Sequence, residues 1–152
     1  FPELSCEKRM RLIETCCEFE CEYLRKHGGR LYPHVEDTLE KLSARYPLYI
    51  VSNCQDGYIE AMFAVHGLQK YFRDYECSGR TGKAKFENLK SIVERNHLQQ
   101  PVYIGDTKTD QVSCCKAGIP FIYASFGFGE ADDYAASVDT FSKLAQLFLT
   151  EQ

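Results

Sequence analysis

Two carboxylates four residues apart, Asp106 and Asp110 of GDTKTD, come directly after the short apolar run VYIG. Upstream, Ser52 and Asn53 close an equally apolar run, LYIVSN, and the stretch SGRTGKAKF carries Lys83 and Lys85. These residue types have defined tasks at a phosphoryl group. The Ser52 hydroxyl and the backbone N–H groups after it can donate to phosphoryl oxygens, and a lysine can neutralise charge developing on them. Asp106 can hold Mg2+ through oxygen, while Asp110, one helical turn on, can hold a metal-bound water or orient the first acid. Without a cation, close carboxylates would repel and raise each other's pKa, so the pair is consistent with a metal.

These groups meet only if the elements around them form a parallel sheet, because the ligand crevice of such a sheet lies beyond the carboxyl ends of its strands. The hydrophobic pattern supports that arrangement. Met10, Ile13, Cys17, Cys21 and Leu24 recur at three- and four-residue steps and predict a helix from Ser5 to about Lys26, ended by Gly28-Gly29. A second helix is expected over Val35 to Arg45, and PLYIVSN suits a strand buried on both faces. Downstream, helix and strand alternate: helix over Gly57 to His66, a weak strand over Phe72 to Cys77, helix over Phe86 to Asn96, strand over Val102 to Gly105, helix over Lys108 to Ala117, strand over Phe121 to Ala124, and a closing helix over Thr140 to Leu149. Alternation of this kind implies right-handed crossovers and a mostly parallel sheet covered on both faces. The change from an all-helical segment to the alternating pattern falls near Gly28 to Tyr32.

Composition narrows the partners. The 152 residues suffice for one sizeable core, and a net charge of -4 with both signs interspersed gives no footprint for nucleic acid or an anionic membrane. No run is apolar enough to span a bilayer and no signal peptide opens the chain, so a cytoplasmic protein with a small soluble partner is expected. The eight cysteines read as free thiols. Cys17 and Cys21 fall on the apolar stripe, no Cys-x-x-Cys pair occurs, and zinc is disfavoured.

YIVSN, then TGKAKFEN, then VYIGDTKTD with AGIPFIYASFGFG, in that order, resemble the second to fourth motifs of the haloacid dehalogenase superfamily. The resemblance covers about Leu31 to Gly129 and is strongest to phosphatases similar to phosphoglycolate phosphatase and β-phosphoglucomutase. It implies a Rossmann-like three-layer α/β/α core with a parallel sheet, preceded by part of a helical cap: residues 1–30 as the cap's C-terminal remainder and 31–152 as the core. It further implies Mg2+-dependent hydrolysis of a small phosphorylated metabolite, such as phosphoglycolate or a sugar phosphate. Carried over by residue, Ser52 and Asn53 bind phosphate, Lys85 stabilises the phosphoryl charge, and Asp106 ligates Mg2+ with support from Asp110. Lys83 competes for the lysine role; Lys85 is favoured because KFENL opens the next helix.

In that superfamily the nucleophile is the first Asp of an Asp-x-Asp motif ending a central strand, which forms an aspartyl-phosphate. No Asp-x-Asp occurs in this sequence. The chain, which opens Phe1-Pro2-Glu3, is therefore expected to be an inactive C-terminal portion of a longer enzyme, lacking its central strand. A preceding segment or a second copy is expected to complete the sheet between the strands carrying Ser52 and Asp106. A non-catalytic phosphate- or partner-binding module and a phosphomutase are the alternatives. For single residues, simpler readings exist: Asp106 and Asp110 as helix caps, Ser52-Asn53 as a turn, Lys83 and Lys85 as solvated charges, and the phenylalanines of SFGFGE as core or as a loop near the site.

Overall fold

The computed structural model describes residues 1–149. Helix α1 (Cys6–His27) is capped by the Ser5 hydroxyl, and Gly28, in the left-handed half of backbone space at φ 66°, ends it with its N–H on the Leu24 carbonyl. Its apolar stripe is only partly used. Cys21 is buried, whereas Met10 and Ile13 are exposed, a departure from the expected stripe with a simple cause. Its helical partner is α3 (Tyr58–His66), of nine residues against twenty-two. At 1.5 Å per residue, α3 is about 14 Å long and α1 about 33 Å.

The remaining elements alternate as expected. Helix α2 (Val35–Ser43) leads to β1 (Leu48–Ser52), α3 leads through a 3-10 turn to β2 (Phe72–Cys77), and a short α4 (Ser78–Thr81) precedes α5 (Lys85–Arg95). Then follow β3 (Tyr103–Gly105), α6 (Lys108–Ala117), β4 (Phe121–Ala124), β5 (Ala136–Val138) and α7 (Lys143–Leu149). All strand pairs are parallel, and the architecture is an α/β Rossmann-like fold.

Side chains on β1 alternate as a pleated strand requires. Leu48 and Ile50 join Val35, Leu39, Ile59 and Phe63 of α2 and α3, while Tyr49 and Val51 join Leu89, Ile92 and Cys114 of α5 and α6. Tyr103 and Phe121 lie on the α5/α6 side, and Ile104 and Val138 pack with Leu42 and Leu144 of α2 and α7 on the other. One set of helices therefore covers each face of both groups of strands.

The strands nevertheless form two sheets, β1-β2 and β3-β4-β5. Among the described residues, no strand lies between β1 and β3, and the seam is bridged instead by the Tyr103 hydroxyl, which donates to the Val51 carbonyl at 2.9 Å. The open edge also explains why β1, expected to be buried on both faces, buries only Val51. β5 and α4 were not anticipated from the sequence. All eight cysteines are thiols, and no helix among the described residues is long and apolar enough to cross a membrane.

A charged network fixes α5 against β2. The Arg95 guanidinium grips both Asp74 oxygens, at 2.7 and 2.9 Å, and reaches Glu76 at 2.7 Å, while Asn96 donates to Asp74 at 2.7 Å. Burial would raise the Asp74 pKa, but hydrogen bonds from Arg95, Asn96 and the Tyr75 N–H hold it below the usual value. Arg95→Met leaves Glu76 buried without its cation and is expected to cost about 2–3 kcal/mol, below the usual figure for a fully buried pair. Arg95 keeps 38% of its side chain in solvent, which screens the pair. Because Asp74 titrates lower when folded, its contribution is complete above about pH 4 and fades as the pH falls through the depressed value. Urea unfolding should show the variant's deficit at neutral pH and a smaller gap in acid.

Candidate active site

The carboxyl ends of β1 and β3 carry the residues singled out by the sequence. Asp106 follows β3, and Ser52 ends β1. Lys85 is the first residue of α5, where the helix start turns its side chain inward onto buried Asp110. Asp110 is fully engaged. Its Oδ1 takes the Lys85 ammonium and stands 3.4 Å from the Tyr103 hydroxyl. Its Oδ2 accepts the Asp106 N–H at 3.3 Å, the Thr107 N–H at 3.1 Å and the Thr107 hydroxyl at 2.8 Å. The Thr107 hydroxyl in turn accepts the Asp110 N–H at 3.1 Å, so the two residues cap α6 reciprocally. Burial would raise the Asp110 pKa, but Lys85 and Thr107 hold the carboxyl below its usual range. Asp110 is thus a helix cap as well as the partner of Lys85, and one of its oxygens also takes the Asp106 N–H.

Asp106 is different. Its Oδ2 accepts the Phe128 backbone N–H at 2.8 Å, and among the described residues Oδ1 meets no protein donor. Gly127 approaches so closely that a Cβ there would overlap the Asp106 side chain, so the loop after β4 clasps this carboxylate without covering it. The two phenylalanines of that loop divide between the two readings. Phe126 packs edge-on against Tyr32 and Phe141, with ring centroids 5.0 and 6.2 Å away, whereas Phe128 stands 97% exposed beside Asp106.

The Ser52 hydroxyl accepts the Cys54 N–H at 3.1 Å, which keeps its own O–H for another acceptor. Asn53 Oδ1 accepts from Ser78 at 3.1 Å. Lys83 is exposed, and Lys85 points into the site. A cleft of about 400 Å³ between α5 and α6 is lined by Asn53, Lys85, Phe86 and Lys108, among others. No group of three or more His, Cys, Asp or Glu able to hold a metal occurs among the described residues.

Two residues were not singled out beforehand. Thr107 had a readable signal, a threonine three residues before an acid at a helix start. Tyr103 had only a hydroxyl in an otherwise apolar run. Burial and the Asp110 charge hold its phenol pKa well above the usual value, so the hydroxyl remains a donor.

A family profile described as haloacid dehalogenase-like hydrolase matches residues 4–124. The chain is 30% identical to the phosphoglycolate phosphatase of Vibrio vulnificus (strain CMCP6), over 96% of this chain and 67% of that protein. It is 27% identical to the phosphoglycolate phosphatase of Escherichia coli (strain K12), over 86% of this chain and 55% of that protein. It therefore spans between about half and two thirds of these relatives. Among solved structures, a haloacid dehalogenase-like hydrolase from Streptococcus pneumoniae superposes with a TM-score of 0.76 at 22% identity, covering 97% of this chain and 73% of that one. A phosphatase from Thermococcus onnurineus gives 0.75 at 20% identity, covering 87% and 65%.

Proposed function

The chain belongs to the haloacid dehalogenase-like hydrolases, and on that premise we propose that it forms the phosphate- and metal-gripping part of a Mg2+-dependent, cytoplasmic phosphatase acting on a small phosphate monoester of the phosphoglycolate or sugar-phosphate kind. The observation that carries this reading is the inward Lys85, held by Asp110 beside Asp106 at the carboxyl ends of the strands.

In this reading Ser52 and the N–H groups after it donate to phosphoryl oxygens. Lys85, whose side chain keeps only 10% of its surface in solvent, carries positive charge to them. Asp110 holds Lys85 and, through Thr107, the start of α6. Asp106 is the residue of this chain that would hold Mg2+, through the carboxylate oxygen left open beside the Phe128 N–H contact. A single carboxylate suits this ion, which ordinarily binds one or two carboxylates and completes its shell with water and substrate phosphate. Bound there, it would supply charge neutralisation at the phosphoryl oxygens.

The nucleophile in this proposal is an aspartate outside the chain. It would lie on a strand filling the seam between β1 and β3 and take the phosphoryl group from the monoester, whose P–O ester bond breaks and whose alcohol leaves, to give an aspartyl-phosphate that water then hydrolyses to inorganic phosphate. The two facing strand edges and the half-exposed β1 support that placement. Residues 1–30, with the unused apolar face of α1, would be the rear of a helical cap, and residues 31–152 the core. The test is phosphate release from p-nitrophenyl phosphate. The full-length polypeptide carrying this chain should release phosphate with Mg2+ and stop on chelation, whereas the chain alone should release none. Chelator-resistant release, or turnover by the chain alone, contradicts the proposal.

A further inference from the structure

We propose that Cys54 and Cys77 form a reversible disulfide that shifts the turn holding Ser52 and Asn53 and so weakens phosphate binding, a redox switch built beside the site. The inference rests on the phosphatase reading for the meaning of Ser52. Its geometry is independent of that reading.

The two thiols meet where β1 and β2 end together. Cys77 is the register partner of Ser52 in the parallel pair and is buried, and Cys54, two residues beyond Ser52, packs in the same apolar cluster. The Cys54 thiol lies within hydrogen-bond reach of the Cys77 thiol and of the Ser52 hydroxyl, whose oxygen also accepts the Cys54 N–H at 3.1 Å. A pair of sulfurs thus adjoins the hydroxyl assigned to phosphate. None of these contacts crosses the seam between β1 and β3, so a strand filling it leaves them in place. The far side of the turn has no slack, because the Gly79 N–H donates to the Cys54 carbonyl at 3.0 Å and a Cβ on Gly79 would overlap the backbone of Gln55 and Asp56. Bonding two sulfurs that now only adjoin therefore moves the end that carries Ser52 and Asn53.

The oxidant is a peroxide, small enough to reach the half-buried Cys54 sulfur. The Cys54 thiolate attacks one peroxide oxygen and the O–O bond breaks, leaving a sulfenic acid and a hydroxide that takes up the thiol's proton as water. The Cys77 sulfur then displaces the sulfenic OH, which leaves with the Cys77 proton as a second water. Two thiols are oxidised to one disulfide, and one peroxide is reduced to two waters. Burial raises the Cys54 pKa, so the thiolate is scarce and the switch answers to sustained peroxide.

Trypsin places the two residues in separate peptides, 46–70 and 74–80, neither with another cysteine. After hydrogen peroxide treatment of the chain and blocking of the remaining thiols, mass spectrometry should find these peptides linked, and dithiothreitol should part them. Inorganic phosphate in the presence of Mg2+ should bind the oxidised chain about tenfold more weakly, on the scale of one lost hydrogen bond to a charged group, and reduction should restore it. Cys77→Ala should bind phosphate as wild type does and lose the peroxide effect. Should that variant not fold, recovery of the wild-type affinity together with the free peptides carries the same comparison. Absence of the linked pair, or a linked pair with unchanged phosphate affinity, overturns the proposal. If the reduced chain binds no phosphate, the phosphatase reading fails. The backbone amide resonances of Ser52 and Asn53 then decide, and a linked pair that leaves them unmoved overturns the switch.

Discussion

Lys85→Met is expected to lower stability by about 3–5 kcal/mol, equivalent to a fall in melting temperature of roughly 6–20 °C for a chain of this size. Methionine matches the length and apolar stem of lysine, so packing changes little. What changes is Asp110, which is 3% exposed and loses the cation on its Oδ1 while keeping the Thr107 and Asp106 donors on its Oδ2. A buried carboxylate stripped of its partner costs far more than the net worth of the pair. Adding Asp110→Asn should recover part of the loss, because the amide needs no cation and retains a carbonyl oxygen for Thr107. Thermal and urea unfolding of the single and double variants measure both effects. A single-variant loss below about 1 kcal/mol would put the pair in the class of exposed salt bridges and remove the physical basis for an inward lysine.

Asp106→Ala should behave in the opposite manner, leaving the fold and removing the reaction. Its side chain's only protein hydrogen bond among the described residues comes from the Phe128 N–H, at an exposed loop residue where water can replace the lost oxygen. The stability change should therefore stay within about 1 kcal/mol. Mg2+-dependent turnover of p-nitrophenyl phosphate by the full-length polypeptide should fall about 10³-fold or more, since the substitution removes the chain's contribution to holding charge at the phosphoryl group. Residual activity within tenfold of the parent would exclude Asp106 from the metal site.

The contrast between these aspartates was not legible in GDTKTD. The sequence places both at the mouth of a strand, and that much follows from topology alone, since parallel strands present their carboxyl ends to one crevice. Which acid faces inward depends on Thr107, which draws Asp110 into the cap of α6, and on Lys85, which closes over it. Between Lys83 and Lys85 the sequence said more: KFENL favoured Lys85 as the opening of a helix, and the start of α5 at Lys85 is what turns that side chain inward. Tyr103 was still harder to find, because its meaning comes from Val51, 52 positions away in sequence.

Among the elements, α6 and β4 have the bounds their patterns predicted, since an apolar run closed by a turn signal is a local property. β5 was missed for the converse reason. Three residues with no alternation become a strand only through pairing with β4. On α1 the sequence revealed an apolar face, yet periodicity cannot state how long the covering partner is, and α3 reaches only part of it.

The central claim is that Ser52, Lys85 and Asp106 grip one oxyanion and its counter-ion. A crystal structure of the chain grown with Mg2+ and tungstate, a phosphate mimic, tests it most directly. The predicted result places the tungstate within hydrogen-bond reach of the Ser52 hydroxyl and the Lys85 ammonium, with the cation on Asp106. Tungstate bound elsewhere, or a cation that leaves Asp106 bare, would contradict it.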